Sequence, residues 1–139
     1  MIAILFYEKP GCLTNAKQRR LLEAAGHQVT RRNLLAEPWS ADRLHEFFKD
    51  MPVSEWFNRA SPRIKCGEID PQQVTAAVAM SLLLKDPLLI KRPLIEIGPV
   101  RIAGFDPRRL QASIDLPPQA LQDLQDCSHA LRRSTAGHV

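Results

Sequence analysis

The chain has 139 residues, of which 45% are hydrophobic, and this is enough to bury one ordinary core. Its formal net charge is +4, but the basic residues occur only in short pairs and aromatic residues make up 6% of the chain, so base stacking and nucleic-acid binding are not expected. No apolar run is long enough to span a membrane, and the N-terminal segment turns polar too early for a signal peptide, so we expect a cytoplasmic protein without membrane contact.

The cysteines and histidines do not form a metal-binding pattern. Cys12, Cys66 and Cys127 are odd in number and widely spaced, which fits neither a disulfide framework nor a zinc site. The four histidines have no ligand spacing, and we expect all of them on the surface. We therefore expect no metal and no tightly bound cofactor, and any chemistry of the cysteines should be that of a thiol.

The first predicted elements are a strand, a turn and a helix. Residues Ile2–Tyr7 form a continuous apolar run of strand length, which Pro10-Gly11 ends, so a buried central strand is predicted. Residues Leu13–Ala25 then form an amphipathic helix, with Gly26 as its C-terminal stop. The prediction assigns Gln18 to the polar side of this helix.

A second strand and several helices are predicted next. The strand lies around Gln28–Thr30, and Ser40 caps a helix that ends near Pro52. The segment 58–63 has the composition of a loop, and Asp70 with the following proline and glutamines predicts the start of another helix. The predicted apolar face of that helix comprises Val74, Ala77, Val78, Ser81 and Leu82.

The last part of the predicted domain is a hairpin and a helix. Leu94–Ile97 and Val100–Ala103 are short β-branched runs separated by Gly98-Pro99, and a helix begins near Asp106. The order is βαβ, a helical insertion and ββα, which predicts an α/β thioredoxin-like fold with a four-stranded mixed sheet. We assign this domain to residues 1–115, and an amphipathic helix followed by a disordered tail to residues 116–139.

Cys12 is the first candidate for a reactive group, because it follows the first strand and opens the first helix. Free N–H groups and the positive end of a helix stabilise a thiolate or a bound oxyanion at such a place. A lone cysteine is more often a small buried apolar residue, but this position favours the reactive alternative. Thr14 either donates its hydroxyl to the same sulfur or anion, or caps the helix. Asn15 stands where a second cysteine would be needed for dithiol exchange within this motif.

Arg92 and Pro93 are the second candidates, since they directly precede the predicted hairpin. A cis bond before Pro93 would turn the chain beside the first helix and direct Arg92 to the thiol. A guanidinium at that place holds a carboxylate, phosphate or similar oxyanion through paired hydrogen bonds. The alternative is a solvated arginine before an ordinary turn.

Two segments carry a resemblance to a known family. The run from Tyr7 to Thr14, YEKPGCLT, and the run from Asp86 to Leu94, DPLLIKRPL, resemble the arsenate reductases that use glutathione and glutaredoxin. The resemblance extends from residue 2 to about residue 113. The segment from Trp56 to Lys65, WFNRASPRIK, is more similar to a branch labelled nitrogenase-associated proteins.

The resemblance implies roles for individual residues. Cys12 matches the nucleophile that attacks arsenate, and Arg92 matches one of three arginines that hold the anion. Asn58 falls at the position of the second arginine, so Arg59 is its potential substitute.

Further positions depart from the family pattern. Gly104 falls at about the position of the third arginine. Glu8 stands in place of a histidine that helps to activate the thiol, and its charge should oppose a thiolate and repel anions. Asn15-Ala16 replaces a serine-arginine pair. Because of these departures, efficient arsenate reduction is not expected. Asn15, Arg59 and Pro93 are predicted to contact the substrate.

Two functions remain open. The first is a thiol-dependent oxidoreductase in which Cys12, Thr14 and Arg92 are catalytic. Glutathione is its co-substrate and glutaredoxin a further partner. A link to nitrogen fixation is implied by the resemblance alone. The second is a non-catalytic adaptor or regulator that binds a protein partner, as a related redox-sensing regulator of RNA polymerase does. Cys66 and Cys127 either resolve an oxidised Cys12 as a disulfide or are passive.

Overall fold

The computed structural model describes residues 2–114, and its first elements form a parallel βαβ unit. Strand β1 (Ala3–Glu8) leads into helix α1 (Leu13–Ala24), and strand β2 (Gln28–Asn33) then pairs with β1 in parallel from Ala3↔Gln28 to Glu8↔Asn33. The predicted strand, turn and helix are confirmed, with Gly26 at φ +94° directly after the helix.

The C-terminal half of the sheet is the predicted hairpin. Strands β3 (Leu94–Ile97) and β4 (Val100–Ala103) pair antiparallel, and β3 also pairs antiparallel with β1. The strand order is β2-β1-β3-β4, so β1 is central and the four-stranded mixed sheet is confirmed. Helix α5 (Pro107–Ser113) follows, and the side chain of Asp106 caps it by accepting a hydrogen bond from Arg108 N.

The helical insertion lies between the two halves. It contains α2 (Ala41–Phe48), the short helix α3 (Pro62–Lys65) and α4 (Ala76–Lys85), with 3-10 turns at Val53–Glu55 and Pro87–Leu89. The cap of α2 by Ser40 is confirmed, since its side chain accepts from Arg43 N. Helix α3 begins inside the segment predicted as a loop.

The prediction for α4 was wrong in its start and its buried face. Asp70 accepts hydrogen bonds from Gln72 N and Gln73 N, but they close only a local turn. Thr75 is the cap, because its side chain accepts from Val78 N. The helix therefore starts later and buries Ala79 and Leu83. Within the predicted apolar face, Ala77, Val78 and Ser81 are exposed.

Both faces of the sheet are covered by apolar side chains. Successive residues of β1 point to opposite faces, so Phe6 packs with Leu22 of α1 and Leu110 of α5, whereas Tyr7 packs with side chains of the insertion. The insertion contributes Leu44, Phe47 and Phe48 of α2 and Ala79 and Leu83 of α4. Each fully buried large side chain contributes about 2 kcal/mol of hydrophobic stabilisation.

Two polar residues that were predicted to be on the outside are buried. His27 is buried, so the prediction that all histidines lie on the surface was wrong for this one, whereas His45 is exposed as predicted. Gln18 is 1% exposed on the inner face of α1. In the part of the chain from 2 to 114, no helix has the length and apolar character needed to cross a bilayer. The predicted tail, 116–139, and Cys127 lie outside the described residues.

Candidate functional site

A tight turn between β1 and α1 places Cys12. The amide N of Cys12 donates to Lys9 O at 3.1 Å, with Pro10 second and Gly11 third in the turn. Gly11 has φ +80°, which is the left-handed conformation that a type II turn requires at its third residue. Proline supplies the fixed φ of the second position. The Pro10-Gly11 pair therefore determines where the cysteine lies.

Cys12 is the N-cap residue of α1. Its backbone is extended (φ −78°, ψ 111°), its carbonyl accepts from Ala16 N at 3.0 Å, and its side chain makes no capping hydrogen bond. The N–H groups of the first turn have no partner within the helix, so they are available to a thiolate or to an oxyanion bound beside it. Cys12 is half-buried, and it is a free thiol.

Thr14 lies in this first turn and is half-buried. Within residues 2–114, its hydroxyl makes no hydrogen bond, so it can donate to a ligand at the same helix end.

Asn15 does not have the exposed position that its predicted role requires. It is 2% exposed, its Oδ1 accepts from Lys9 N at 3.3 Å, and its Nδ2 donates to Gln18 Oε1 at 3.1 Å. The role of Asn15 as a substrate contact stays a prediction, and in this structure both ends of its amide are hydrogen-bonded within the fold. Its amide instead joins the turn before Cys12 to the inner face of α1.

Glu8 is neutralised within the fold. Its Oε1 accepts a hydrogen bond from Arg19 Nε at 3.0 Å, and Arg19 also pairs with Glu23 at 3.1 Å. Glu8 is 7% exposed, so this carboxylate is part of a buried ion pair and not a free surface charge. The predicted repulsion of anions by Glu8 is thereby reduced.

Arg92 and Pro93 lie beside the thiol turn. Leu94 pairs with Tyr7 in the antiparallel register, so the residues just before Leu94 run alongside the residues just after Tyr7, where the turn to Cys12 begins. The Arg92-Pro93 bond is cis, as predicted. Pro93 is buried, and its carbonyl accepts from Gly104 N at 2.8 Å. Arg92 is half-buried and makes no ion pair with any residue from 2 to 114.

The insertion contributes the residues from Trp56 to Arg59 to this region. Lys91 N donates to Trp56 O at 3.0 Å and Asn58 N donates to Leu89 O at 2.8 Å, around a bridge between Phe57 and Ile90. This antiparallel contact places the 56–58 segment along the chain that leads to Arg92.

Asn58 has a structural role in this segment. Its Oδ1 accepts from Ala60 N at 3.1 Å, so its side chain stabilises the following turn. Arg59 is exposed, and its positive charge is close enough to contribute to lowering the pKa of Lys91.

Lys91 is a residue of this region that the sequence reasoning missed. Burial lowers the pKa of its ammonium from the usual 10.5. Its side chain lies against Gly104, where a β-carbon added to the glycine would be 2.7 Å from Lys91 Cε. The signal in the sequence was that Lys91, a basic residue, directly precedes Arg92, together with the glycine at position 104.

Two further residues, Cys66 and Leu13, bear on the function of Cys12. Cys66 is an exposed free thiol whose Sγ lies 3.7 Å from Arg63 O, and no described contact joins it to Cys12, so its role as a resolving thiol stays a prediction. Leu13, directly after Cys12, is 86% exposed, which is unusual for a large apolar side chain next to a candidate reactive group.

Two curated proteins are similar in sequence. A Rhodospirillum rubrum protein, described as an uncharacterised 15.7 kDa protein in the draG 3' region, is 42% identical over 127 residues, which cover 91% of this chain and 89% of that protein. Global transcriptional regulator Spx 1 of Oceanobacillus iheyensis is 26% identical over 110 residues, covering 78% of this chain and 77% of the regulator.

Solved structures share the fold. An arsenate reductase (ArsC) related protein of Brucella melitensis is 30% identical with a TM-score of 0.62, covering 83% of this chain and 97% of that one. An arsenate reductase of Vibrio cholerae has a TM-score of 0.68 at 17% identity, covering 81% of this chain and 98% of that one, and at this identity it supports the fold alone. No protein-family profile matches the sequence.

Proposed function

The chain belongs to the arsenate reductase-like family of thioredoxin-fold proteins, and from this membership we propose that it is a monothiol oxidoreductase whose nucleophile is Cys12. The observation that carries the proposal is the position of Cys12 as the N-cap of α1, with no capping bond from its side chain. Unused N–H donors lie at the helix end where the sulfur is, and the Tyr7↔Leu94 register brings the backbone of Arg92 alongside the turn that leads to Cys12.

The proposed reaction removes glutathione from a mixed disulfide. The Cys12 thiolate attacks the glutathionyl sulfur, the S–S bond breaks, and the substrate leaves as a thiolate that takes a proton from water. A glutathione thiolate then attacks the Cys12–glutathione disulfide, which releases glutathione disulfide and restores Cys12. The net change is a thiol–disulfide exchange, in which one reduced glutathione and the glutathionylated substrate become glutathione disulfide and the free substrate thiol. One protein cysteine is sufficient, so the absence of a cysteine at position 15 is no obstacle.

Arg92, Thr14 and Arg59 assist this reaction in the proposal. Arg92 binds a carboxylate of glutathione or of an anionic substrate, Thr14 donates its hydroxyl at the helix end, and Arg59 supplies a further positive charge from the rim. Pro93 is buried and shapes the wall beside them. We assign the reaction to the cytoplasm, where glutathione keeps thiols such as Cys12 and Cys66 reduced.

The test is turnover of a glutathionylated peptide with reduced glutathione, followed by release of glutathione disulfide. We expect activity in the unchanged chain and in Cys66→Ser, and none in Cys12→Ser. When reduced glutathione is left out, the second step cannot occur, and intact-mass spectrometry should show one glutathione added to Cys12. Equal turnover by Cys12→Ser would overturn the proposal.

A second function, a regulator that binds a protein partner, is favoured by one structural observation and one relative. Leu13 is 86% exposed beside the thiol, and the relative from Oceanobacillus iheyensis is named a transcriptional regulator. In this alternative, oxidation of Cys12 changes a docking surface and no substrate turns over. Binding to purified RNA polymerase that is lost in Leu13→Ser, together with no turnover in the glutathione assay, would place this function first.

A link to nitrogen fixation is part of the proposal. It is supported by the resemblance of the segment from Trp56 to Lys65 to nitrogenase-associated proteins and by the 42% identical relative in the draG 3' region. The test is growth of a Rhodospirillum rubrum strain that lacks this relative, with dinitrogen or ammonium as the nitrogen source. We expect a defect on dinitrogen alone, restored by this chain and not by its Cys12→Ser variant. Equal growth on both sources would remove the link and leave the thiol chemistry untouched.

A further inference from the structure

We propose that Lys91 is an anion-binding residue of this site, and that with Arg92 and Arg59 it binds an oxyanion group of the molecule that reacts with Cys12. The inference rests on the proposed function for the identity of that molecule. The placement of Lys91 itself rests only on the geometry around Gly104 and on the charges near it.

The ammonium of Lys91 has no acidic residue in ion-pair contact with it among residues 2–114. In the part of the chain that the structure describes, Lys91 forms neither an ion pair nor a side-chain hydrogen bond. Glu55 and Asp106 are within electrostatic range, but neither is in ion-pair contact with it, and Asp106 Oδ1 accepts from Arg108 N at 3.0 Å. A partly buried cation without a hydrogen-bond acceptor is unfavourable, and a bound anion would remove that cost.

The backbone around Lys91 fixes the place of its side chain. Lys91 N donates to Trp56 O at 3.0 Å, and Gly104 N donates to Pro93 O at 2.8 Å. The aliphatic part of Lys91 lies over Gly104, whose φ of +84° is itself a conformation that other residues rarely adopt. A β-carbon at position 104 would be 2.7 Å from Lys91 Cε, so the glycine leaves the space that the lysine occupies. These contacts therefore hold Lys91 next to Arg92 and Pro93, which run alongside the turn that leads to Cys12.

The positive charges near Lys91 repel one another. Arg59 lowers the pKa of Lys91 in addition to the effect of burial, and Arg92 is its neighbour in the chain. Neither arginine has an ion-pair partner among residues 2–114. Glu55 and Asp106 act on Lys91 with the opposite sign, but no acidic residue among residues 2–114 is in ion-pair contact with Lys91, Arg59 or Arg92. An anion in direct contact with these cations would therefore be stabilised, and a doubly charged oxyanion more than a singly charged one.

The test is sulfate binding, measured by calorimetry in a Cys12→Ser parent so that the thiol neither reacts nor titrates. Sulfate keeps two negative charges across the useful pH range. Loss of one charge-assisted contact should weaken binding about tenfold in Lys91→Met. Lys91→Arg should retain most of the affinity. The matched control is Lys85→Met, because Lys85 is an exposed lysine at the end of α4.

The pH profile separates direct binding from a structural role. Because burial lowers the pKa of Lys91 below 10.5, its charge is present below that lowered pKa and lost as pH rises through it. Sulfate affinity of the parent should therefore fall at alkaline pH below 10.5, while Lys91→Arg keeps its affinity there. The charged groups that act on Lys91 are Glu55 of the 3-10 turn, Arg59 of the following loop and Asp106 before α5, and Arg92 is the next residue in the chain.

The outcomes distinguish this inference from the proposed function. A parent that does not bind sulfate, or a Lys91→Met variant that binds it as tightly as the parent, overturns the role of Lys91, whatever Cys12 does in the peptide assay. Sulfate binding that depends on Lys91 in a chain whose Cys12 shows no turnover supports the anion site and overturns the oxidoreductase. A second arm with S-methylglutathione identifies the source of the oxyanion. Competition with sulfate that requires Lys91 indicates a glutathione carboxylate, and absence of competition indicates a free oxyanion.

Discussion

Arg19 Nε donates a hydrogen bond to Glu8 Oε1 at 3.0 Å, so the last residue of the central strand and the middle of α1 are joined by an ion pair that is largely excluded from water. Removing the cation alone should be more harmful than neutralising the pair, because it leaves a buried carboxylate without a partner. We expect Arg19→Met to lower the free energy of unfolding by about 2 kcal/mol. Urea denaturation followed by circular dichroism measures this difference.

The control for this prediction is Arg20→Met, a change of the exposed neighbouring arginine, which should have almost no effect. The double variant Glu8→Gln with Arg19→Met should recover part of the loss, since no buried charge remains. If Arg19→Met and Arg20→Met were equally stable, the ion pair would have no structural importance.

Tyr7 gives a direct measurement of electrostatics on the other face of β1. Its hydroxyl donates to Glu96 and accepts from Arg43 Nη2 at 3.1 Å, and burial, followed by Glu96, raises its pKa above 10.0. The folded protein thus keeps this proton when the unfolded chain has lost it, so stability falls as pH rises from 10.0 towards the folded pKa. Tyr7→Phe should remove this pH dependence and cost about 1 kcal/mol at neutral pH.

The chain has a single tyrosine, so the phenolate absorbance reports on Tyr7 alone. An absorbance titration of the folded protein should have its midpoint above that of the urea-unfolded chain. Coincident midpoints would show that burial and Glu96 do not raise the pKa of Tyr7 in the folded protein.

Gly104 and Gly67 form a matched pair for testing the contact with Lys91. Both have φ +84°, but a β-carbon meets Lys91 only at Gly104 and meets nothing within 4 Å at Gly67. An alanine at either position should cost about 1–2 kcal/mol of stability through the backbone conformation. Only Gly104→Ala should also weaken sulfate binding, because the lysine side chain must move. Unchanged sulfate affinity in Gly104→Ala would show that the position of the lysine does not depend on this glycine.

Arsenate should be bound but reduced very slowly. Asn58 stabilises a turn through Ala60 N and Gly104 has no side chain, so neither supplies the paired hydrogen bonds of an arginine. A lysine ammonium is a point charge and does not replace the planar fork of a guanidinium in orienting the anion for attack. The measurement is arsenite formation with glutathione and glutaredoxin, beside an authentic arsenate reductase. Comparable rates in the two proteins would contradict this prediction.

The position of the thiol was predictable from sequence because its determinants are local. Pro10-Gly11 encodes the turn, and the apolar run before it encodes the strand, so Cys12 has only one place to lie. The hairpin was predictable for the same reason, since its strands are short β-branched runs separated by Gly98-Pro99.

The remainder of the site depends on contacts between distant segments. The hydrogen bonds from Lys91 to Trp56 and from Asn58 to Leu89 have no signature in either segment alone. Asn15 reads as a polar residue available to a ligand, and only the fold shows its bonds with Lys9 N and Gln18. The sequence predicted Asp70 as the cap of α4, but Asp70 closes only a local turn and the observed cap is Thr75, which the sequence analysis did not single out.

The antiparallel contact between the 56–58 and 89–91 segments also links ligand occupancy to local unfolding. A molecule held by Arg59 on one segment and by Lys91 on the other binds only while the two hydrogen bonds between them are closed. Each tenfold excess of ligand over its dissociation constant then adds about 1.4 kcal/mol to the free energy of opening. Protection of the Asn58 and Lys91 amides from hydrogen exchange would rise with sulfate concentration, while amides that open only with the whole domain would respond to global stability.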